Sequence, residues 1–295
     1  MNPFDLVGPQ FLLFYLILGG GVILMLGLLR RARESGDTLK VNLTDPYLIA
    51  YLRGGKNEAL RLGTVSLIDR GFLVVKGSRL RSDWQQATDI ITNPIEKALL
   101  QKFLSEDEAT SIYKDSALEA ACQPYLATLT RQGLLPDEAT RTTRMTRFII
   151  GGAILFFVAF TKIMLALARG RHNILFLVLL TLLAIVAAYK VSNPFRTLKG
   201  TELLADLRTL FGSLKDRASG ISPGGATGEL ALLAAVFGMA ALPTSVFPHA
   251  KALYPKAAAS GSSSWGSSCG SSCGSSCGSS CGGGGCGGGC GGCGS

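Results

Sequence analysis

Three apolar runs, residues 11–29, 148–168 and 174–189, constrain this chain more than any other feature it has. None contains an acidic residue, and each is close to the roughly 20 residues that an α-helix needs to cross the hydrocarbon core of a bilayer. A helix satisfies its own backbone polar groups, so it is the form such a run takes in lipid. The third run is the shortest, and is expected to borrow flanking residues or to pair with a thin region of the bilayer. Lys162, in the second run about two helical turns from its end, reads as a side chain that snorkels towards the headgroups and not as a transport residue. A mean hydropathy of +0.34 over 295 residues agrees with this membrane reading, because the chain also carries a large hydrophilic tail.

The first run is not followed by a small-x-small cleavage site, and its basic residues, Arg30, Arg31 and Arg33, come after it instead of before. It reads as a retained anchor behind a short N-terminal segment, residues 1–10. Positive residues near span ends set orientation. The arginine cluster after the first span, and Arg141, Arg144 and Arg147 before the second, put residues 34–147 in the cytoplasm. Lys190, Arg196 and Lys199 return the chain to that side after the third span, whereas Arg169 and Arg171 argue weakly the other way. The expectation is a multi-pass protein with its N-terminus outside.

The net charge of +9 could suggest a nucleic-acid partner. Residues 34–140, however, hold 12 basic and 15 acidic residues. The positive excess is mostly juxtamembrane, which suits topology and an anionic lipid surface better than a phosphate-reading face.

Residues 34–147 read as a helical domain of two related units, about 45–81 and 93–138. Each opens on an Asx-Pro pair, Asp45-Pro46 and Asn93-Pro94, which caps a helix and fills its first turn. Each closes on an apolar helix ending at a glycine, Gly71 or Gly133, followed by two apolar residues, the pattern of a left-handed C-cap. After Gly71, FLVVKGSRLR has the composition of a short hairpin. Helices followed by a hairpin outline a winged helix, so the domain is expected to be tandem winged-helix-like, with a plain helical bundle as the alternative. Nucleic acid is disfavoured as a partner, because the two candidate recognition helices bring few basic residues and the domain is slightly acidic.

Residues 193–217 carry leucines at helical spacing with basic residues between them, an amphipathic helix that could lie on the membrane or dock on the domain. A linker, residues 218–229, follows. The apolar segment 230–247 contains Gly238 and Pro243 and is strongly apolar only to Leu242; it reads as an interfacial or buried helix, or as a fourth span. That alternative decides which side of the membrane the tail faces.

The tail, residues 260–295, is built almost wholly of Gly, Ser and Cys, and holds seven of the eight cysteines: Cys269, Cys273, Cys277, Cys281, Cys286, Cys290 and Cys293. Such a composition cannot bury enough apolar surface to offset its chain entropy, so disorder is expected. Thiolates at this spacing are candidate ligands for soft metals, Zn or Cu, although the pattern is not that of a zinc finger. In an oxidising compartment the same thiols would form disulfides. Catalysis leaves little trace. The only histidines are His172 and His249, both outside residues 34–147, so a triad there lacks its base. Cys122 sits among apolar residues and reads as core. The acidic cluster Glu106, Asp107 and Glu108 reads as a helix N-terminus.

These pieces together, NPFDLVGPQFLLFY, DPYLIAYLRGG, NEALRLGTVSLIDRGFL, NPIEKALL, GTELLADLRTLF and the terminal GSSC repeat, resemble a family of uncharacterised bacterial membrane proteins that end in Gly/Cys-rich simple sequence. The resemblance implies a bacterial inner-membrane protein and transfers no activity. The expected fold is thus a mainly α membrane protein with three, or with the apolar segment four, transmembrane helices, and the expected role is non-enzymatic, with an unknown protein partner or a part in envelope assembly. Metal capture or thiol redox sensing by the tail is the alternative, and membrane-tethered DNA-binding regulation a third.

Overall fold

A computed structural model of the chain describes residues 8–34, 44–82, 91–168, 175–213, 229–242 and 253–254. The chain divides into two units, Met1–Ser262 and Ser263–Ser295. All the described residues belong to the first.

Each apolar run lies in a long helix: α1 (Gly8–Glu34), α6 (Glu138–Ala168) and α7 (Leu175–Ser192). All three are long and apolar enough to cross a membrane. The third extends three residues beyond the apolar run, to Ser192. The helices pack on one another through Phe11, Tyr15, Leu155, Ala159, Leu177 and Ala184. Tyr15 Oη donates to the Leu155 carbonyl at 3.1 Å, linking α1 to α6. Gly151 lets α1 approach closely, since a Cβ there would lie 3.2 Å from Val22. Outside this seam the large side chains face outwards: Leu13, Ile17, Leu24, Phe157, Phe176 and Leu183 are all more than half exposed. The ammonium of Lys162 lies over the Phe11 ring, 4.5 Å from its centroid, a placement that shelters the charge against an aromatic face.

Between α1 and α6 the chain forms α2 (Pro46–Gly54), α3 (Lys56–Asp69), the hairpin β1 (Leu73–Lys76) and β2 (Arg79–Ser82), α4 (Pro94–Lys102), a two-residue strand β3 (Asp107–Glu108), a 3-10 turn (Ala109–Lys114) and α5 (Ser116–Arg131). The caps form as their residues dictate. Asp45 accepts from Tyr47 N at 2.8 Å and Asn93 from Ile95 N at 2.9 Å. Both glycine closures are Schellman turns of the same design. Phe72 N bonds Leu67 O at 2.9 Å and Gly71 N bonds Ile68 O at 3.1 Å; Leu134 N bonds Leu129 O at 3.0 Å and Gly133 N bonds Thr130 O at 2.9 Å. Gly71 and Gly133 have φ of 77° and 69°, where a side chain would be strained.

Only one sheet forms among the described residues, in the order β1-β2-β3 and antiparallel throughout. The second unit builds no hairpin of its own; it lends β3 to the first unit's hairpin, and its closing turn runs into α6. The acidic cluster does precede a helix, but a 3-10 one, with Glu108 at its N-cap, and Asp107 and Glu108 first pair with β2 because Leu80 and Arg79 offer them backbone partners.

The amphipathic stretch is also shorter than expected. Pro194 removes a donor, and Thr197 caps a helix that begins only at Leu198: α8 (Leu198–Leu210). Leu204 and Leu207 enter the domain core. The apolar segment 230–247, over its described part, takes the buried-helix alternative. It is a nine-residue helix, α9 (Glu229–Phe237), closed by a 3-10 turn (Met239–Ala241), about 14 Å long at 1.5 Å per residue. Leu233, Ala235 and Val236 are fully buried, and Leu230, Ala234, Met239 and Leu242 nearly so, in the same cluster as Ile49, Leu60, Leu67, Leu99 and Leu129. Gly238 breaks the helix at φ 96° where Arg53 passes. Leu253 and Tyr254 return to this core.

Candidate functional site

The polar ends of α1, α6 and α7 meet at one point. Arg144, one turn before the apolar part of α6, donates through Nη2 and Nε to Glu34 Oε1 at 2.6 and 2.9 Å, and through Nη1 to the Pro194 carbonyl at 2.9 Å. The two charged side chains are only 6% and 8% exposed. Glu34 Oε2 also accepts from Arg30 Nε at 3.2 Å and from the backbone N–H of Leu198 at the start of α8, again at 3.2 Å. Ser192 Oγ donates to the Arg144 carbonyl at 3.1 Å, and Arg147 Nη1 to the Leu29 carbonyl at 3.3 Å. One carboxylate thus ties two arginines and a helix start together, and each of its oxygens is used. A buried pair of this kind holds only when its hydrogen bonds are completed in this way.

The turn after α5 seats α8 against the same point. Thr197 Oγ1 donates towards the Gly133 and Leu134 carbonyls at 2.8 and 2.9 Å, and Thr197 N to the Leu134 carbonyl at 3.2 Å. A methyl group at Gly200 would overlap that carbonyl oxygen, so only glycine permits the approach.

A second network lies in the domain. Glu58 pairs with Arg53 and Arg61. Arg61 Nε donates to Tyr113 Oη at 2.6 Å, and its guanidinium covers both the Tyr113 and Tyr254 rings, at 5.2 and 5.8 Å from their centroids. This clamps the segment after α9 onto α3. Arg196 donates to the Arg53 carbonyl, and burial together with the neighbouring Arg208 and Arg53 charges pushes its pKa down to about 10. A third network is centred on Glu96, which accepts from Tyr47 Oη, from Ser66 Oγ at 3.2 Å and from Arg70 Nη1 at 2.8 Å. It joins α2, α3 and α4. Cys122 is 2% exposed, and burial raises its thiol to about 11; it is a core residue as its sequence surroundings suggest.

Two cavities flank α6 at its polar end. One, of about 720 Å³, is lined mainly by Leu126, Leu135, Met145, Tyr189 and Phe195, with Arg141 and Asn193 at its wall. The other, of about 400 Å³, lies between α1, α6, the turn at Gly133 and the start of α8, and is lined by five basic and two acidic side chains among others.

The seven candidate metal ligands, Cys269, Cys273, Cys277, Cys281, Cys286, Cys290 and Cys293, lie outside the described residues, as do His172 and His249. Among the described residues no group of three or more His, Cys, Asp or Glu is placed to hold a metal ion. The hairpin's outward basic residues are partly compensated, with Glu106 carboxylate oxygens 3.7 Å from both Lys76 and Arg79. Sequence reasoning took Arg144 as one of several topological charges and did not single out Glu34. The signal available was an acid closing a run of arginines, but its partner lies 110 residues away. Comparison with protein-family models, with curated proteins and with solved structures finds no match.

Proposed function

We propose that this chain is a three-span integral membrane protein of the bacterial cytoplasmic-membrane type, with its N-terminus outside and its helical domain and Gly/Cys tail in the cytoplasm. Its role is non-enzymatic, in protein interaction or envelope assembly, a reading supported by the lack of a catalytic constellation in its sequence. The observation that carries this reading is the shared level at which the three apolar helices turn polar. Leu29 is held beside Arg147, and Arg144 beside Glu34 and Pro194, so every folded element of the domain hangs from one end of the helix trio. Outward-facing Leu, Ile and Phe on all three helices suit lipid and are costly in water. Burial of α9 in the domain core supports three crossings over four, and with them a tail on the domain's side.

The experiment is thiol labelling with a membrane-impermeant maleimide in a Cys122→Ser background, which leaves only the tail cysteines. Labelling that requires lysis is expected; labelling in intact cells overturns the topology. Metal capture by the tail is the second reading, favoured by its seven thiols. Zinc or copper co-purifying with the full chain, and lost on deleting residues 260–295, would support it over the first. The wing-like outline of α3, β1 and β2 keeps the DNA-binding reading third, since Glu106 offsets the hairpin's charge.

A further inference from the structure

We propose that the cavity of about 400 Å³ between α1, α6 and the start of α8 binds the phosphodiester headgroup of an anionic phospholipid. The inference rests on the membrane reading above and adds to it a defined lipid site. The cavity's size falls in the range of about 300–1,000 Å³ typical of small-ligand sites. Its two acids are already engaged. Glu34 is filled by Arg144, Arg30 and the Leu198 N–H, and Asp137 Oδ1 accepts from the backbone N–H of Glu138. Among the described residues the cations Arg33, Arg147 and Lys199 have no carboxylate partner, and all three line the cavity. With five cations against two carboxylates, the wall carries a net of three positive charges, arranged around one space instead of spread over a surface.

The position selects a lipid over a soluble phosphate. Arg147 stands at the step where α6 becomes apolar, level with Leu29 of α1 through its 3.3 Å hydrogen bond. One and two turns further along the same face of α6, Ile150 and Ile154 are 57% and 48% exposed. A headgroup seated among the three cations has its acyl chains directed along this apolar face. Basic side chains at such a boundary attract anionic headgroups, and the hydroxyls of Thr130 and Thr140, which have no partner among the described residues, line the same space.

The test is native mass spectrometry of the full chain in detergent, with equimolar phosphatidylglycerol and phosphatidylcholine. Wild-type protein is expected to retain phosphatidylglycerol by at least about tenfold over phosphatidylcholine. The variant Arg33→Gln/Arg147→Gln/Lys199→Gln, checked for an unchanged melting profile, is expected to retain the two equally. The variant Arg79→Gln/Arg81→Gln/Lys97→Gln, with the same loss of charge elsewhere, is expected to behave as wild type. Equal retention by the wild type overturns the site without recourse to any variant. An equal loss in both variants overturns it in favour of diffuse charge. Displacement of the lipid by millimolar glycerol phosphate overturns the lipid as occupant and assigns the cavity to a free phosphate. The underlying membrane reading fails separately: alkaline carbonate would then extract the chain from membranes, whereas a chain that resists carbonate but shows no lipid preference loses only the headgroup site.

Discussion

At the scale of single residues, the pair Glu34 and Arg144 has the largest consequence, because both charges are withdrawn from water and each is satisfied only by the other and its immediate neighbours. Arg144→Ala leaves a carboxylate buried with Arg30 as its remaining cation, and is expected to cost about 3–5 kcal/mol. The double variant Glu34→Gln/Arg144→Met should cost clearly less than the sum of the single changes. Denaturation midpoints in detergent measure both; a cost below about 1 kcal/mol for Arg144→Ala would put the pair in the class of surface bridges. Cys122 gives a prediction with a sign. Its thiol is raised from 9.0 to about 11 by burial, so the folded state prefers the neutral form. That contribution is fully present below about pH 9 and is lost as the pH rises through about 11. The stability difference between wild type and Cys122→Ala should therefore shrink over that window; a difference that grows with pH refutes the buried-thiol assignment.

At the scale of elements, much of the architecture could be read locally. Asp45-Pro46 and Asn93-Pro94 start helices, and Gly71 and Gly133 end them, because caps and Schellman turns use only backbone groups within a few residues. The hairpin after Gly71 follows from the same local chemistry. One element escaped, and a second, read as interfacial, buried or spanning, was left open. The strand Asp107–Glu108 exists only because Arg79 and Leu80 lie beside it, and nothing in its own acidic composition favours a strand. The α9 helix has the composition of a membrane segment, and composition is blind to whether an apolar face meets lipid or protein. Leu233 distinguishes them: it is fully buried, so Leu233→Ala is expected to destabilise by about 2–5 kcal/mol, as read from thermal unfolding of the detergent-solubilised protein. A change below about 1 kcal/mol would return α9 to the membrane.

At the scale of the whole molecule, the domain core is assembled from segments far apart in the chain. Side chains of α2, α3, α4, α5, α8 and α9 share one apolar cluster, and the Glu34 node couples α8 to the three apolar helices. Such a core should open as one cooperative unit. Native-state hydrogen exchange is expected to find the amides of residues 233–237 protected to the same free energy as those of residues 62–67; exchange of α9 at a much lower free energy would show it to be an appendage. The trio of apolar helices of membrane length was legible in sequence from length and apolarity alone. The node that sets their common level was not, since Arg141, Arg144 and Arg147 look alike in sequence and only packing selects Arg144 for burial.

What the sequence by itself determined were the features governed by neighbouring residues: three apolar helices of membrane length, two capped and glycine-closed units, and a hairpin. Tertiary structure alone decided the partner of Glu34, the origin of the third strand, and the burial of α9. The physical reason is that caps and turns are satisfied within a few residues, whereas the burial of a charge or of an apolar face depends on which distant segment arrives to cover it.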